Sequence, residues 1–410
     1  MPPTSTPAPA GASARHRRGR LQGVDATRGV ALVGMMAVHV LPPTDADGSA
    51  SLAYLVASGR AAAAFAVLAG VGLALATGGP QPPRGRAWGG AALATVVRGL
   101  LIGLVGLLVA EADTDIAIVL TYYGALFLLA PPLLGLRPAA LAGVAVGVAV
   151  VGPAVSLVVR TFLPRATYDV PTLDRLLDTP GAVAAELLLT GYYPATAWLA
   201  YLAAGLAVGR LALGSLRVQV ALLAGGALLA LAATAVSAVL LGPLGGQAEL
   251  LATQPQMGPA ELDAALDSSL YGTAPTSSWW WLAVDAPHSS TPPDLLATGG
   301  TSLALLGALL LLARTAGALL RPLAAAGSMT LTLYTAHVLL LASGWLPEDP
   351  ETSWLLQVAL ALAVAPAWRL VARRGPLEAL VAAAAGRARA LVVPGAPAAQ
   401  APAPAPTGLG

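Results

Sequence analysis

The chain has 410 residues, 57% of them hydrophobic and only 10% charged, where a soluble domain carries about 25% charged residues. That excludes a soluble globule and points to an all-α, polytopic integral-membrane helix bundle. A net charge of +2 gives no ground for a nucleic-acid partner, and the lack of Cys excludes disulfides, thiol chemistry and Cys-ligated metal.

Residues 1–19 read as a disordered basic tail, and residues 393–410 as a disordered Pro/Ala-rich tail. Between them, 20–392 reads as one membrane domain. Apolar stretches of about 20 residues, enough to cross a bilayer, fall near 24–41, 51–77, 90–110, 116–134, 139–160, 184–208, 218–241, 295–313, 324–346 and 353–372. The expectation is therefore about ten transmembrane helices. The basic run before the first stretch has the look of a secretory leader. That stretch is long, no small-residue cleavage pattern follows it, and a retained first span is expected.

Orientation follows the arginines, since the chain has no Lys. Arg15, Arg17, Arg18 and Arg20 precede the first span. Arg84 and Arg86, Arg137, Arg210 and Arg217, Arg314 and Arg321, and Arg373 and Arg374 follow the even-numbered ones. Both termini are expected in the cytoplasm. Nearly all carboxylates then fall on the opposite side, including those in the longest loop, 242–294.

The first span opens with RLQGVDATRGVALVGMMAVHVL (20–41). Arg28 and His39 are eleven positions apart, about three turns plus 20°, so they share a helix face roughly 16 Å apart along the axis. Asp25 lies close to the same line. An ionisable group inside a bilayer is costly and points to function by default, and imidazole suits proton transfer. A positive-inside anchor and a hydrogen-bonded histidine would explain the same residues. Arg60, in SGRAAAAFAVLAG, must face protein or snorkel. Arg98 is expected in the bilayer or at the end of an interfacial helix over 87–97, the second being favoured. Tyr122 and Tyr123 fit a belt or a pocket equally.

The longest loop carries Trp279, Trp280 and Trp281, as an interfacial belt or as a stacking surface for an acceptor, and then His288. In GSMTLTLYTAHVLLL (327–341), Thr330, Tyr334 and His337 share a helix face, as interhelical glue or as a second lining to a cavity. Arg373 and Arg374 could dock a phosphate-bearing cofactor or serve only topology. The four histidines show no metal spacing.

The opening motif RLQGVDATRGVALVGMMAVH resembles bacterial membrane proteins similar to heparan-α-glucosaminide N-acetyltransferase. The arginine–histidine spacing is also similar to that of membrane O-acyltransferases of surface polysaccharides. GSMTLTLYTAH and RRGPLE resemble a bacterial branch of the same superfamily, and GRAAAAFAVLAG and APHSSTP are similar to its actinobacterial members. This resemblance implies a multi-pass protein of the bacterial plasma membrane that moves an acyl group from cytoplasmic acetyl-CoA, or another acyl-CoA, to an extracytoplasmic glycan-like acceptor. No metal is implied, and a homodimer is left open. Arg28 matches the motif arginine and His39 the motif histidine, with His288 as the alternative base on the outer side. On this reading His39, Arg28, Arg60 and His288 carry the chemistry. Asp25, Arg28, Arg98, Tyr334, His337, Arg373 and Arg374 hold the donor. A continuous polar tunnel with His39 at its throat is expected. The rival reading is a small-molecule transporter lined by the same residues.

Overall fold

The computed structural model describes residues 10–112, 114, 116–163, 169–267 and 270–394, without the side chains of 10–21. The side chains of Arg15, Arg17, Arg18 and Arg20 are among those not described, although the backbone of 10–19, expected as disordered tail, belongs to the first helix. Asp113, Asp115, Arg165 and both expected tails beyond these limits lie outside the described residues.

The chain is helical, and the described residues form no sheet beyond one isolated bridge between Thr44 and Ala50. In chain order the helices are α1 (Ala10–Val40), α2 (Leu52–Ala57), α3 (Arg60–Ala76), α4 (Gly85–Ala110), α5 (Val119–Leu129) and α6 (Pro138–Arg160). After them come α7 (Leu173–Asp178), α8 (Pro180–Ala185), α9 (Ala195–Gly209), α10 (Leu216–Leu241), α11 (Gly246–Ala252) and α12 (Pro259–Asp267). The last five are α13 (Pro292–Thr315), α14 (Arg321–Gly327), α15 (Thr330–Ala342), α16 (Pro350–Val371) and α17 (Pro376–Val392).

Each of the ten apolar stretches contains helix. By length and composition 6 helical segments among the described residues could cross a membrane, or up to 7 if the bent pair α14–α15 is one span. That pair bends by 81° at Ser328–Met329. Elsewhere α5 and α9 are shorter than a full span, and a π turn over Glu186–Thr190 precedes α9. The expected interfacial helix over 87–97 does not separate. Helix α4 runs unbroken with Arg98 in its middle, because nothing between Gly85 and Ala110 is a helix stop.

Start signals are local. Thr291 caps α13 by accepting the Asp294 N–H, with Pro292 and Pro293 in the first turn. Asp349 caps α16 through the Thr352 N–H at 2.8 Å, followed by Pro350.

Packing relies on small residues that let backbones touch. A Cβ on Gly205 of α9 would lie 1.9 Å from the Val67 carbonyl oxygen of α3. A Cβ on Gly327, at the end of α14, would lie 1.7 Å from the Asp25 carbonyl oxygen of α1. These approaches fix α1 and α3 against their neighbours and so set where Asp25 and Arg28 stand.

Arg210, the residue that ends α9, is 3% exposed. It donates to the carbonyls of Ala74 (3.2 Å), Thr77 (3.4 Å), Gly79 (2.8 Å) and Leu134 (2.7 Å), and to Thr77 Oγ1 (3.2 Å). One guanidinium thus satisfies the carbonyls that α3 leaves bare at its C-terminus and ties them to the turn after α5. Arg210→Met should destabilise the fold by on the order of 3 kcal/mol, since several buried acceptors lose their donor. Thermal unfolding in detergent should show the loss, and Arg210→Lys should recover only part of it.

Candidate functional site: two cavities meeting at Met35

A cavity of about 400 Å³ opens between α1, α3, α4, α5, the bent pair α14–α15 and α17. Three arginines line it: Arg28, Arg98 and Arg374. Most of the rest of its wall is apolar, with Phe65, Leu73, Ile102 and Phe127, and Tyr123 and Tyr334 are also on it.

Arg28 is the arginine with protein partners. It pairs with Asp25 at 3.1 Å, a spacing of one helical turn, and donates to the Leu68 carbonyl at 3.2 Å. Among the described residues neither the Arg98 nor the Arg374 guanidinium makes a hydrogen bond or ion pair, although the Glu378 carboxylate shares the cavity wall. The bend between α14 and α15 reaches the same wall through Ser328, Thr330 and Leu331. Glu378 of α17 closes part of this break. Its carboxylate accepts the Thr332 N–H at 3.1 Å and the Thr332 hydroxyl at 2.6 Å, a negative charge where the helix dipole welcomes one. Tyr334 is buried, and its hydroxyl forms no sound hydrogen bond, although the Val119 amide at the start of α5 lies near it.

A second, small cavity of about 30 Å³ is lined by His39, His288, Tyr193, Gly59, Ala61 and Ala62. Met35 and Val119 line both cavities and form the partition between them. The expected continuous tunnel is therefore two chambers with a shared wall. The reason is the Met35 side chain, which stands on the α1 face between Arg28 and His39 and fills the line joining them.

His39 keeps partial exposure and meets His337 of α15, Nδ1 to Nε2, at 3.0 Å. The two rings are nearly parallel, 12° apart. His337 Nδ1 in turn faces Gln357 Oε1 of α16 at 2.5 Å. His337 is thus joined to His39 and does not line the large cavity.

His288 reaches the small cavity on a strap, residues 284–291. Leu270, Gly272 and Ala274 each donate a backbone N–H to this strap, at the Pro287, His288 and Ser289 carbonyls. The strap needs unusual backbone: His288 and Ser290 have φ of 56° and 53°. His288 Nε2 accepts the Gly59 N–H at 3.2 Å, and its ring stands edge-on to Tyr193 at 5.4 Å. It is therefore not the freely solvated loop residue that its sequence position suggests. Burial holds its imidazole down at about 4, so it is neutral at pH 7 with one lone pair already used.

Arg60 lines neither cavity. It turns back to donate to the Leu55 carbonyl at 2.5 Å, closing the gap between α2 and α3, while its neighbours Gly59, Ala61 and Ala62 form the wall. Arg373 is exposed and off the cavity wall. Tyr122 and Tyr123 are interior: Tyr123 donates to the Ala62 carbonyl at 3.0 Å, and Tyr122 accepts the Tyr192 N–H at 3.2 Å. Of the three tryptophans, Trp281 is the core of the long loop, packed with Leu250, Leu262 and Val284, whereas Trp279 is 59% exposed.

Sequence reasoning passed over Gln357, Tyr193 and Glu378. Gln357 had a signal: it is a lone amide in the apolar run WLLQVALALAV, and a buried amide must have a partner.

An all-helical scaffold with several helices able to cross a membrane is that of an integral-membrane protein. A family model described as heparan-alpha-glucosaminide N-acetyltransferase, catalytic, matches residues 20–239, more than half of the chain. The chain belongs to that family. No curated protein matches it. The matched region holds Asp25, Arg28, His39, Arg60 and Arg98, while Tyr334, His337, Arg374 and Glu378 come from beyond it.

His288→Leu should leave the buried Gly59 N–H without an acceptor, a loss of about 1.4 kcal/mol or more. Hydrogen exchange at the Gly59 amide should then rise about tenfold, with exchange in α16 unchanged.

Proposed function

We propose that this protein transfers an acyl group, the acetyl of acetyl-CoA in the first instance, from a donor in the large cavity to an acceptor that arrives through the small one. The supporting observation is the pair of guanidiniums, Arg98 and Arg374, that line one cavity without forming an ion pair. Unpaired cations on a cavity wall suit the phosphates of an acyl-CoA. Arg28, steered by Asp25, stands with them. Apolar side chains such as Phe65, Ile102 and Phe127 suit the thin pantetheine arm.

The thioester would then lie near Tyr123, Tyr334 and the Met35 partition. The unpartnered Tyr334 hydroxyl is a donor ready for the thioester carbonyl as negative charge develops there. Arg60, expected to share in the chemistry, faces elsewhere. His39 would act as general base on the acceptor. His288 and Tyr193 would meet the acceptor on the far side. The donor side is taken as cytoplasmic, because the arginine-rich loops adjoin the large cavity, and a glycan-like hydroxyl or amine is the acceptor class the family suggests. Two chambers with a partition favour handing over a small group. A transporter needs a path wide enough for the whole substrate.

In membranes carrying the wild type, label from acetyl-CoA should reach an acceptor, and His39→Ala should lower the rate at least about 100-fold. Equal rates would remove His39 from the chemistry. Arg98→Gln with Arg374→Gln should weaken CoA binding about 10- to 100-fold, the loss expected for a charged hydrogen bond. The effect should shrink for a ligand that lacks the phosphates. Binding of CoA by calorimetry checks this without knowing the acceptor.

A further inference from the structure

The chain of contacts behind His39 determines which of its nitrogens is the base. Gln357 presents a carbonyl oxygen, which only accepts, to His337 Nδ1 at 2.5 Å. His337 therefore carries its proton on Nδ1, and its Nε2 is a lone pair. That lone pair faces His39 Nδ1 at 3.0 Å, so the proton between the two rings belongs to His39 Nδ1. His39 Nε2 is then left bare on the side of the small cavity. In this orientation the Gln357 NH2 also reaches Ser353 Oγ one turn earlier on α16, at 3.4 Å. Gln357 and Ser353 are buried, 3% and 4% exposed, so water does not scramble the order.

We propose that His337 and Gln357 are positioning residues that hold His39 as its Nδ1–H tautomer and aim Nε2 at the reacting groups. The chemical step rests on the acyl-transfer reading above; the tautomer assignment does not. In that step the acceptor X–H bond breaks and its proton moves to His39 Nε2. The X–C bond forms at the thioester carbonyl, the C–S bond breaks, and the proton on Nε2 passes to the departing sulfur. The acyl group has moved from S to X and a free thiol leaves. While Nε2 holds the proton, the charge spreads along Nδ1–H into His337 and on to the Gln357 carbonyl.

The groups facing His39 are His337 and Tyr334 from α15, His288 from the strap and Tyr193 across the small cavity. Among the described residues no carboxylate hydrogen-bonds to either ring of the pair. A neutral amide at the end of the chain orients the base without trapping it as a cation, which a carboxylate would tend to do.

The test uses the full chain with 15N-labelled histidine, which adds only 4 labelled side chains. Long-range proton–nitrogen correlations should show His39 and His337 both protonated at Nδ1, the form free imidazole disfavours. Gln357→Leu removes the acceptor and should release His337 to the Nε2–H form, with the His39 signals following. Turnover should fall at least about tenfold with the KM for acyl-CoA unchanged. Gln357→Glu keeps the acceptor and should keep both tautomers, while the acidic limb of the kcat/KM profile moves up by about one unit. A wild-type His39 protonated at Nε2 would overturn the proposal, as would a Gln357→Leu variant with unaltered tautomers. If the tautomers are as stated and wild type transfers no acyl group from acetyl-CoA, the relay stands and the acyl-transfer reading falls.

Discussion

Polar groups enclosed by this bundle have to find their partners inside it, because lipid supplies none. That constraint shapes most of the molecule. The Arg210 guanidinium, surrounded by carbonyls from the end of α3 and from the turn after α5, is its fullest expression. Glu378 seals the start of α15, and Arg60 closes the kink before α3. Against that background the exceptions are informative. Arg98 and the Tyr334 hydroxyl face one cavity without a firm partner, beside the more exposed Arg374, and His39 keeps a bare nitrogen at the next. Other buried polar atoms, Ser58 Oγ and Thr121 Oγ1 among them, also lack a partner, so it is the convergence of such groups on two adjoining cavities that marks the candidate site.

The site draws on both parts of the chain. Helices α1, α3, α4 and α5, inside the family match, supply Arg28, Met35, Arg98 and Tyr123. The bent pair α14–α15, with α16 and α17, supplies Tyr334, His337, Gln357 and Arg374. The close approach of Gly327 to Asp25 joins the two sets. A bulkier residue there would push α14 off α1 and spread both cavities at once. This is a reason for glycine that has nothing to do with backbone freedom.

Much of this was legible in the amino-acid order. Hydropathy marked ten stretches, each of which contains helix, and the eleven-residue spacing put Arg28 and His39 on the face that lines the chambers. Three things were not legible, each for a physical reason. Breaks within apolar runs, as at Ser328–Met329, depend on what lies opposite, here Glu378. The destination of His288 depends on backbone pairing between residues 270–274 and 287–289, which no local pattern encodes. The direction a long side chain takes is also set by tertiary contacts. Arg60 curls back to Leu55, and Met35, unremarkable in sequence, ends up as the divider.

That divider has a consequence for the cell that houses it. A pore through a bilayer lets ions run down their electrochemical gradients, and an enzyme that handed an acyl group from one face to the other, as proposed, would be under constant threat of becoming one. Met35 and Val119 form a greasy bulkhead between the compartments. A small acyl fragment needs only to swing past a flexible thioether, whereas a hydrated ion would have to shed its water to follow.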